Sequence, residues 1–168
     1  SLTTIFYMAN VDNDRAFSVS QEERTRIMRD AAASGKYNLT RIGGSIHPTP
    51  HPGYVHANLT RIPNVDATDP VAATRAEIDG RRQVQEYVRF LVQEYPGFER
   101  AYLASTAPTI GVRETRRLVG EYVLTGEDVR SGAKFDDAIA CCSAPMEDHN
   151  AGKDVGWQFL KSGDYYQI

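Results

Sequence analysis

The chain has 168 residues, of which 41% are hydrophobic and 24% charged, with a net charge of −3 and an isoelectric point near 5.8. These values describe one ordinary globular domain with room for a core, and they exclude a disordered tract. The acidic balance argues against a nucleic-acid partner, which calls for a basic face, and no apolar run approaches the ~18 residues of a membrane-crossing helix.

The N-terminus, Ser-Leu-Thr-Thr-Ile-Phe-Tyr-Met, lacks the basic start and cleavage site of a secretory leader. The absence of an initiator Met suggests that Ser1 is not the natural start. Leu2 to Val11 alternates and carries Ile5, Phe6 and Tyr7, which predicts a strand. Ser20-Gln-Glu-Glu23 reads as a capping box, with the serine taking the Glu23 amide and the Glu23 carboxylate reaching back. Ile27, Met28 and Ala31 give the following short helix a narrow apolar stripe, ending near Ser34-Gly35. Residues 41–53 are rich in proline and glycine and read as a loop; Tyr54 to Ile62 reads as a strand closed by Pro63-Asn64.

Asp69 as N-cap and Pro70 at the first helical position open a long helix. Val84, Tyr87, Val88, Leu91, Val92 and Tyr95 recur at helical spacing until Pro96-Gly97, so this helix should cover a sheet. Glu77, Asp79, Arg81, Arg82, Glu86 and Arg89 read as its solvated face. Glu99 to Thr106 and Arg117 to Leu124 both read as strands, interrupted between Pro108 and Gly111. Thr125-Gly-Glu-Asp128 repeats the helix-start signature for a short helix ending at Ser131-Gly132. Phe135 to Ala144 is mixed, Gln158 to Leu160 reads as a strand, and Tyr165 to Ile168 as the beginning of another. The order predicts an α+β fold, a mixed or mainly antiparallel sheet covered by one long helix and short helices.

Three of the four histidines, His47, His51 and His56, gather in or beside the proline-rich loop. Histidine is the commonest metal ligand, but no carboxylate or cysteine accompanies them and the prolines should spread the imidazoles, which favours a substrate-contacting or exposed loop over a metal site. The adjacent Cys141 and Cys142 do not have redox spacing; two small buried residues, no disulfide framework and a reducing, cytoplasmic setting are the expectation. Asp148-His149 suggests an oriented base, but no serine occupies a nucleophile elbow, so hydrolase chemistry has little support. The Asn38 and Asn58 sequons matter only in a secreted eukaryotic protein.

The densest charge cluster is Arg113, Glu114, Arg116 and Arg117, set between Gly111 and Gly120. Charge inside an apolar run must be paired or meet an anion. Salt bridges of Arg113 or Arg116 with Glu114, Glu121 or Glu127 are the structural reading. The functional reading has Arg113, on a turn after Gly111 where backbone can approach closely, presenting a planar fork to a carboxylate, phosphate or cofactor.

The run Thr106-Ala-Pro-Thr-Ile-Gly-Val-Arg-Glu-Thr-Arg-Arg-Leu-Val-Gly-Glu-Tyr-Val-Leu-Thr-Gly-Glu-Asp-Val129 closely resembles a signature of the FAD-dependent oxidoreductase family. The resemblance extends to Tyr95-Pro-Gly-Phe-Glu99, to Asn58-Leu-Thr-Arg61 with Asp66-Ala-Thr-Asp69, and to Phe135-Asp-Asp-Ala-Ile-Ala140, in the family's order and spacing. It implies a two-part enzyme with a dinucleotide-binding domain and an inserted substrate domain. The chain has no G-x-G-x-x-G, since Gly43-Gly44 runs into Ser-Ile-His-Pro, and the family's closing flavin-binding segment is expected only after Ile168. The resemblance therefore implies a single substrate or cap domain over residues 1–168, cut from a larger flavoenzyme. FAD would serve the parent without being retained here. The expected partners are a small-molecule substrate and the missing dinucleotide-binding domain, with neither nucleic acid nor membrane. Gly111 and Arg113 would contact substrate or cofactor, Arg116 and Glu114 would hold that loop, and His47, His51 and His56 would line the pocket. The competing readings are a stand-alone ligand-binding module and an interaction domain that self-associates through exposed apolar surface.

Overall fold

The computed structural model describes residues 1–116, 118–148 and 156–168, and the chain divides into two compact units, Ser1–Thr115 and Arg116–Ile168. The first unit runs in the order β1 (Leu2–Thr3), β2 (Phe6–Ala9), α1 (Asn13–Ser18), α2 (Gln21–Ala33), β3 (Ser45–Pro48), β4 (Val55–Asn58), α3 (Pro70–Glu94), β5 (Tyr102–Thr106) and β6 (Gly111–Val112). Four of these strands form an antiparallel sheet in the order β3-β4-β2-β5, while β1 pairs separately with β6. The fold is the α+β arrangement expected, with antiparallel sheets and one long helix.

The strand expected from Leu2 to Val11 breaks at Thr4 for a visible reason. The Thr60 hydroxyl accepts the Thr4 amide at 2.8 Å and donates to the Thr4 carbonyl at 3.0 Å, taking both groups away from a strand ladder. Asn10, at φ 60°, then turns the chain out of β2, its side-chain amide donating to the Arg100 carbonyl at 2.8 Å. Directly after it, Asp12 caps α1 by accepting from the Arg15 amide, a helix the apolar pattern did not reveal because only Ala16 in it is buried.

The core lies between one face of the four-stranded sheet and α3. Phe6, Met8, Ile46, Val55 and Ala57 alternate inward from the strands and meet Val84, Tyr87, Phe90 and Leu91 of the helix. Met28 and Ala31 of α2, together with Phe98, close the sides. Phe90 lay outside the stripe read from the sequence, yet it is fully buried, because a helix pressed against sheet on one side and α2 on another buries more than a narrow seam. The cap at α2 is half of the expected box: Ser20 Oγ accepts the Glu23 amide at 3.1 Å, but the Glu23 carboxylate turns to Arg26, 2.6 Å away. Glu77 and Arg81 are more than a solvated face. Glu77 accepts the Ile110 amide, and Arg81 donates to Thr106 Oγ1 at 2.8 Å and to the Pro108 carbonyl, so α3 holds the turn that follows β5.

The second unit contains α4 (Gly126–Ser131), β7 (Cys141–Cys142), β8 (Met146–Asp148), β9 (Gly156–Gln158) and β10 (Tyr166–Gln167). Here β7 pairs with β10 and β8 with β9, both antiparallel. The capping box at α4 is complete, with Thr125 and Asp128 each serving the other's backbone. Cys141 is exposed and Cys142 partly so, contrary to the buried pair expected, because β7 joins a two-stranded ribbon that covers neither face fully. No strand forms over residues 118–124; Leu118 and Val119 are 98% and 99% exposed, and a strand pattern needs a ladder partner to become a strand.

Candidate functional site

The stretch expected to be a loop, residues 41–53, instead supplies β3, the edge strand of a β3–β4 hairpin. Two side chains of α3 clamp the base of that hairpin. The buried Tyr87 hydroxyl accepts from the Arg41 amide at 2.9 Å and donates to the Arg41 carbonyl at 2.8 Å. Gln83 binds the other end, accepting the Arg61 amide at 2.8 Å and donating to the Arg61 carbonyl at 3.0 Å. Burial pushes the Tyr87 phenol above its usual pKa, so it remains a neutral donor at this joint. Gly44 permits the close entry into β3: its φ is +115°, and a Cβ would sit 2.5 Å from the Asn58 carbonyl oxygen.

This register carries one residue from each strand into a single row across the outward face. His47 lies opposite His56, His56 opposite Tyr7, and Tyr7 opposite Ser105. The imidazoles of His47 and His56 have centroids 5.9 Å apart, and His56 meets the Tyr7 ring edge-on at 5.5 Å. Tyr54 stacks on Tyr7 at 5.3 Å, and its hydroxyl lies 3.2 Å from Ser105 Oγ. Burial, and secondarily the neighbouring His47, lower the His56 pKa, so its imidazole is neutral at pH 7 and can accept or donate one hydrogen bond. The extended geometry imposed by the prolines therefore aligns two of the imidazoles instead of spreading them, since Pro48 ends an edge strand where no ladder amide is required.

The strands that build this face also lack acidic residues, lysine and arginine. Residues 1–11, 42–60 and 101–112 contain no Asp, Glu, Lys or Arg, and all four strands come from these stretches. In a chain that is 24% charged, four strands without such residues differ from an ordinary solvated sheet. Tyr7, Tyr54 and Ser105 were not singled out from the sequence. The signal that reveals them is this charge-free patterning combined with the alternation Tyr54-Val-His56.

The remaining candidates occupy other places. His51 is exposed in the hairpin turn, where its carbonyl accepts from the Tyr54 amide at 3.0 Å. Gly111 pairs with Thr3 in the β1–β6 ribbon; a Cβ there would press on the Thr3 carbonyl at 3.2 Å, so close backbone approach serves strand pairing. Arg113 and Glu114 follow that ribbon and are exposed, whereas Arg116 is exposed at the start of the second unit. Glu127 pairs with Arg130 at 3.0 Å. Arg117 and the His149 of Asp148-His149 lie outside the described residues. Among the described residues no three His, Cys, Asp or Glu side chains gather as a metal site, and no helix is long and apolar enough to cross a membrane.

A diphosphate is commonly held at a helix N-terminus, and the four helix starts described here do not suit one. The first turns of α1, α2 and α4 carry Asp14, Glu22 with Glu23, and Glu127 with Asp128, while α3 opens on Asp69 and Pro70. Each start would set a carboxylate against the anion. No curated protein sequence and no solved structure matches the chain. A family model described as FAD dependent oxidoreductase matches residues 1–168. With its whole length under that one model, the chain belongs to the FAD-dependent oxidoreductase family, and FAD is the cofactor that this family implies.

Proposed function

We propose that this chain forms the substrate side of an FAD-dependent oxidoreductase that moves a hydride from a small organic substrate to the flavin, with the diphosphate-binding segment lying elsewhere in the parent. The observation that carries the reading is the row His47, His56, Tyr7 and Ser105, on one face of a sheet whose other face is core, in a chain that matches the family throughout. The protein contributes binding, orientation and hydrogen bonding, and the cofactor carries the redox chemistry. Acidic helix starts support the second half of the proposal, that the isolated chain neither retains FAD nor turns over.

Two measurements test it. The purified chain should be colourless and free of flavin; one equivalent of bound FAD would overturn the division of labour. In the intact enzyme, Arg113→Lys keeps the charge and loses the planar fork, so turnover or substrate affinity should fall if Arg113 contacts an anionic group. Unchanged kinetics would assign Arg113 to the structure around β6 alone.

A further inference from the structure

We propose that His47 and His56 together bind one divalent transition-metal ion of the zinc, nickel or copper kind across the β3–β4 hairpin, with water completing its coordination. This goes beyond the substrate-side reading and does not depend on it, since both imidazoles belong to one hairpin of the first unit.

Three observations carry the assignment: register, free nitrogens and spacing. His47 and His56 pair directly across the two strands, a register that sets their Cβ atoms about 4.5–5.5 Å apart. Among the described residues no hydrogen bond engages either imidazole, so the nitrogens of both rings remain available to a shared ligand. A metal–imidazole bond of about 2.0–2.1 Å puts each ring centre about 3.2 Å from the ion. Two such rings lie about 5.2 Å apart at the tetrahedral angle and about 6.4 Å apart when trans. The observed 5.9 Å falls between those limits, and a small side-chain rotation at the exposed His47 covers the difference.

The donor set selects the ion. The strands of this sheet contain no Asp or Glu, which removes the carboxylate oxygens that calcium and magnesium favour, whereas imidazole suits zinc, nickel and copper. The same strands contain no Lys or Arg, so an anion placed between the rings would lose hydration without a compensating ion pair. The hairpin is set before any ion arrives: Tyr87 and Gln83 clamp its base, and Tyr7 meets the His56 ring edge-on at 5.5 Å. Two protein ligands leave the remaining positions to water, and the exposed His47 opens them to solvent.

The test titrates zinc chloride into the 168-residue chain with its histidine and aromatic rings isotope-labelled for NMR. The ring signals of His47 and His56 should shift with one common midpoint and saturate, while the Tyr87 and Phe90 signals report an unchanged core. Calcium chloride at the same concentration should shift neither histidine. Because the readout sits at the two rings, zinc taken up by Cys141, Cys142 or His149 is told apart from it. His47→Ala should weaken zinc binding at His56 by more than about tenfold, since even an outer partner of a metal ligand is worth that much. His56→Ala should do the same at His47, and His51→Ala should change neither. Should His56→Ala disturb the core signals, His47→Ala, at an exposed position, decides alone. The proposal falls if the two rings titrate with separate midpoints, which would mean adventitious binding at single histidines, or if neither moves at millimolar zinc. It falls equally if calcium acts as zinc does, if His51→Ala abolishes the shifts, or if they follow protein concentration, which would mean that the ion bridges two copies. Its failure would leave the flavoenzyme reading intact; that reading fails instead if the full-length parent purifies without flavin.

Discussion

His56 shows how a single side chain records its surroundings. Its pKa lies below 6.5, first through burial and then through the neighbouring His47. The unfolded chain therefore binds this proton before the folded chain does as pH falls, and stability must drop as pH descends through about 6.5, being fully present above it. Urea unfolding on either side of that pH should show the loss, and His56→Gln should reduce it. The opposite slope, with greater stability in acid, would contradict the assigned environment. Gly80 makes a second point at this scale. A Cβ there would collide with Thr4 Oγ1 and lie 3.5 Å from Ile62, so the long helix touches the first strand region through a residue without a side chain. Gly80→Ala should destabilise by about 1–3 kcal/mol, the usual range for overpacking, and a thermal melt would reveal it. Neither effect was legible in the sequence: His56 read as one of three histidines gathered in or beside a proline-rich loop, and Gly80 as an ordinary helix residue, because both depend on what a distant segment brings near.

The elements that the sequence announced most clearly are those whose stabilisation is local. The Asp69-Pro70 start, the Ser20 cap and the Thr125 box each need only residues within a few positions, and each forms. In the last of these, the Asp128 carboxylate receives the Thr125 hydroxyl at 2.6 Å, the Thr125 amide at 2.7 Å and the Tyr122 hydroxyl at 2.8 Å, and these bonds hold it below the usual carboxylate pKa. Thr125→Ala should cost about 0.5–2 kcal/mol of local stability, seen as faster amide exchange at Asp128 and Val129. Unaltered exchange would show that α4 is held by packing alone. Strands were harder to read because their partners are remote. The β3 strand was hidden by its prolines until β4 supplied a ladder, and residues 118–124 have the pattern of a strand without becoming one. A helix satisfies its own backbone, but a strand requires a neighbour that local sequence does not name.

At the scale of the molecule, the family was legible from ordered blocks spanning most of the chain, and the match over residues 1–168 agrees. The division into Ser1–Thr115 and Arg116–Ile168 was not, since both sides of that boundary are punctuated by similar glycines and charges. Irregular backbone and nearly complete exposure at Leu118 and Val119 make this the place where a protease should enter first. Brief digestion with chymotrypsin should cut between Leu118 and Val123 and leave a resistant N-terminal piece; first cleavage inside α3 would contradict the division. The alternation of the four-stranded sheet has a longer-term consequence. Phe6, Met8, Val55 and Ala57 belong to the core, while their immediate neighbours Tyr7, Tyr54 and His56 belong to the half-buried outer face. Selection can therefore change this outer face, one side chain at a time, without touching the residues that keep the protein folded.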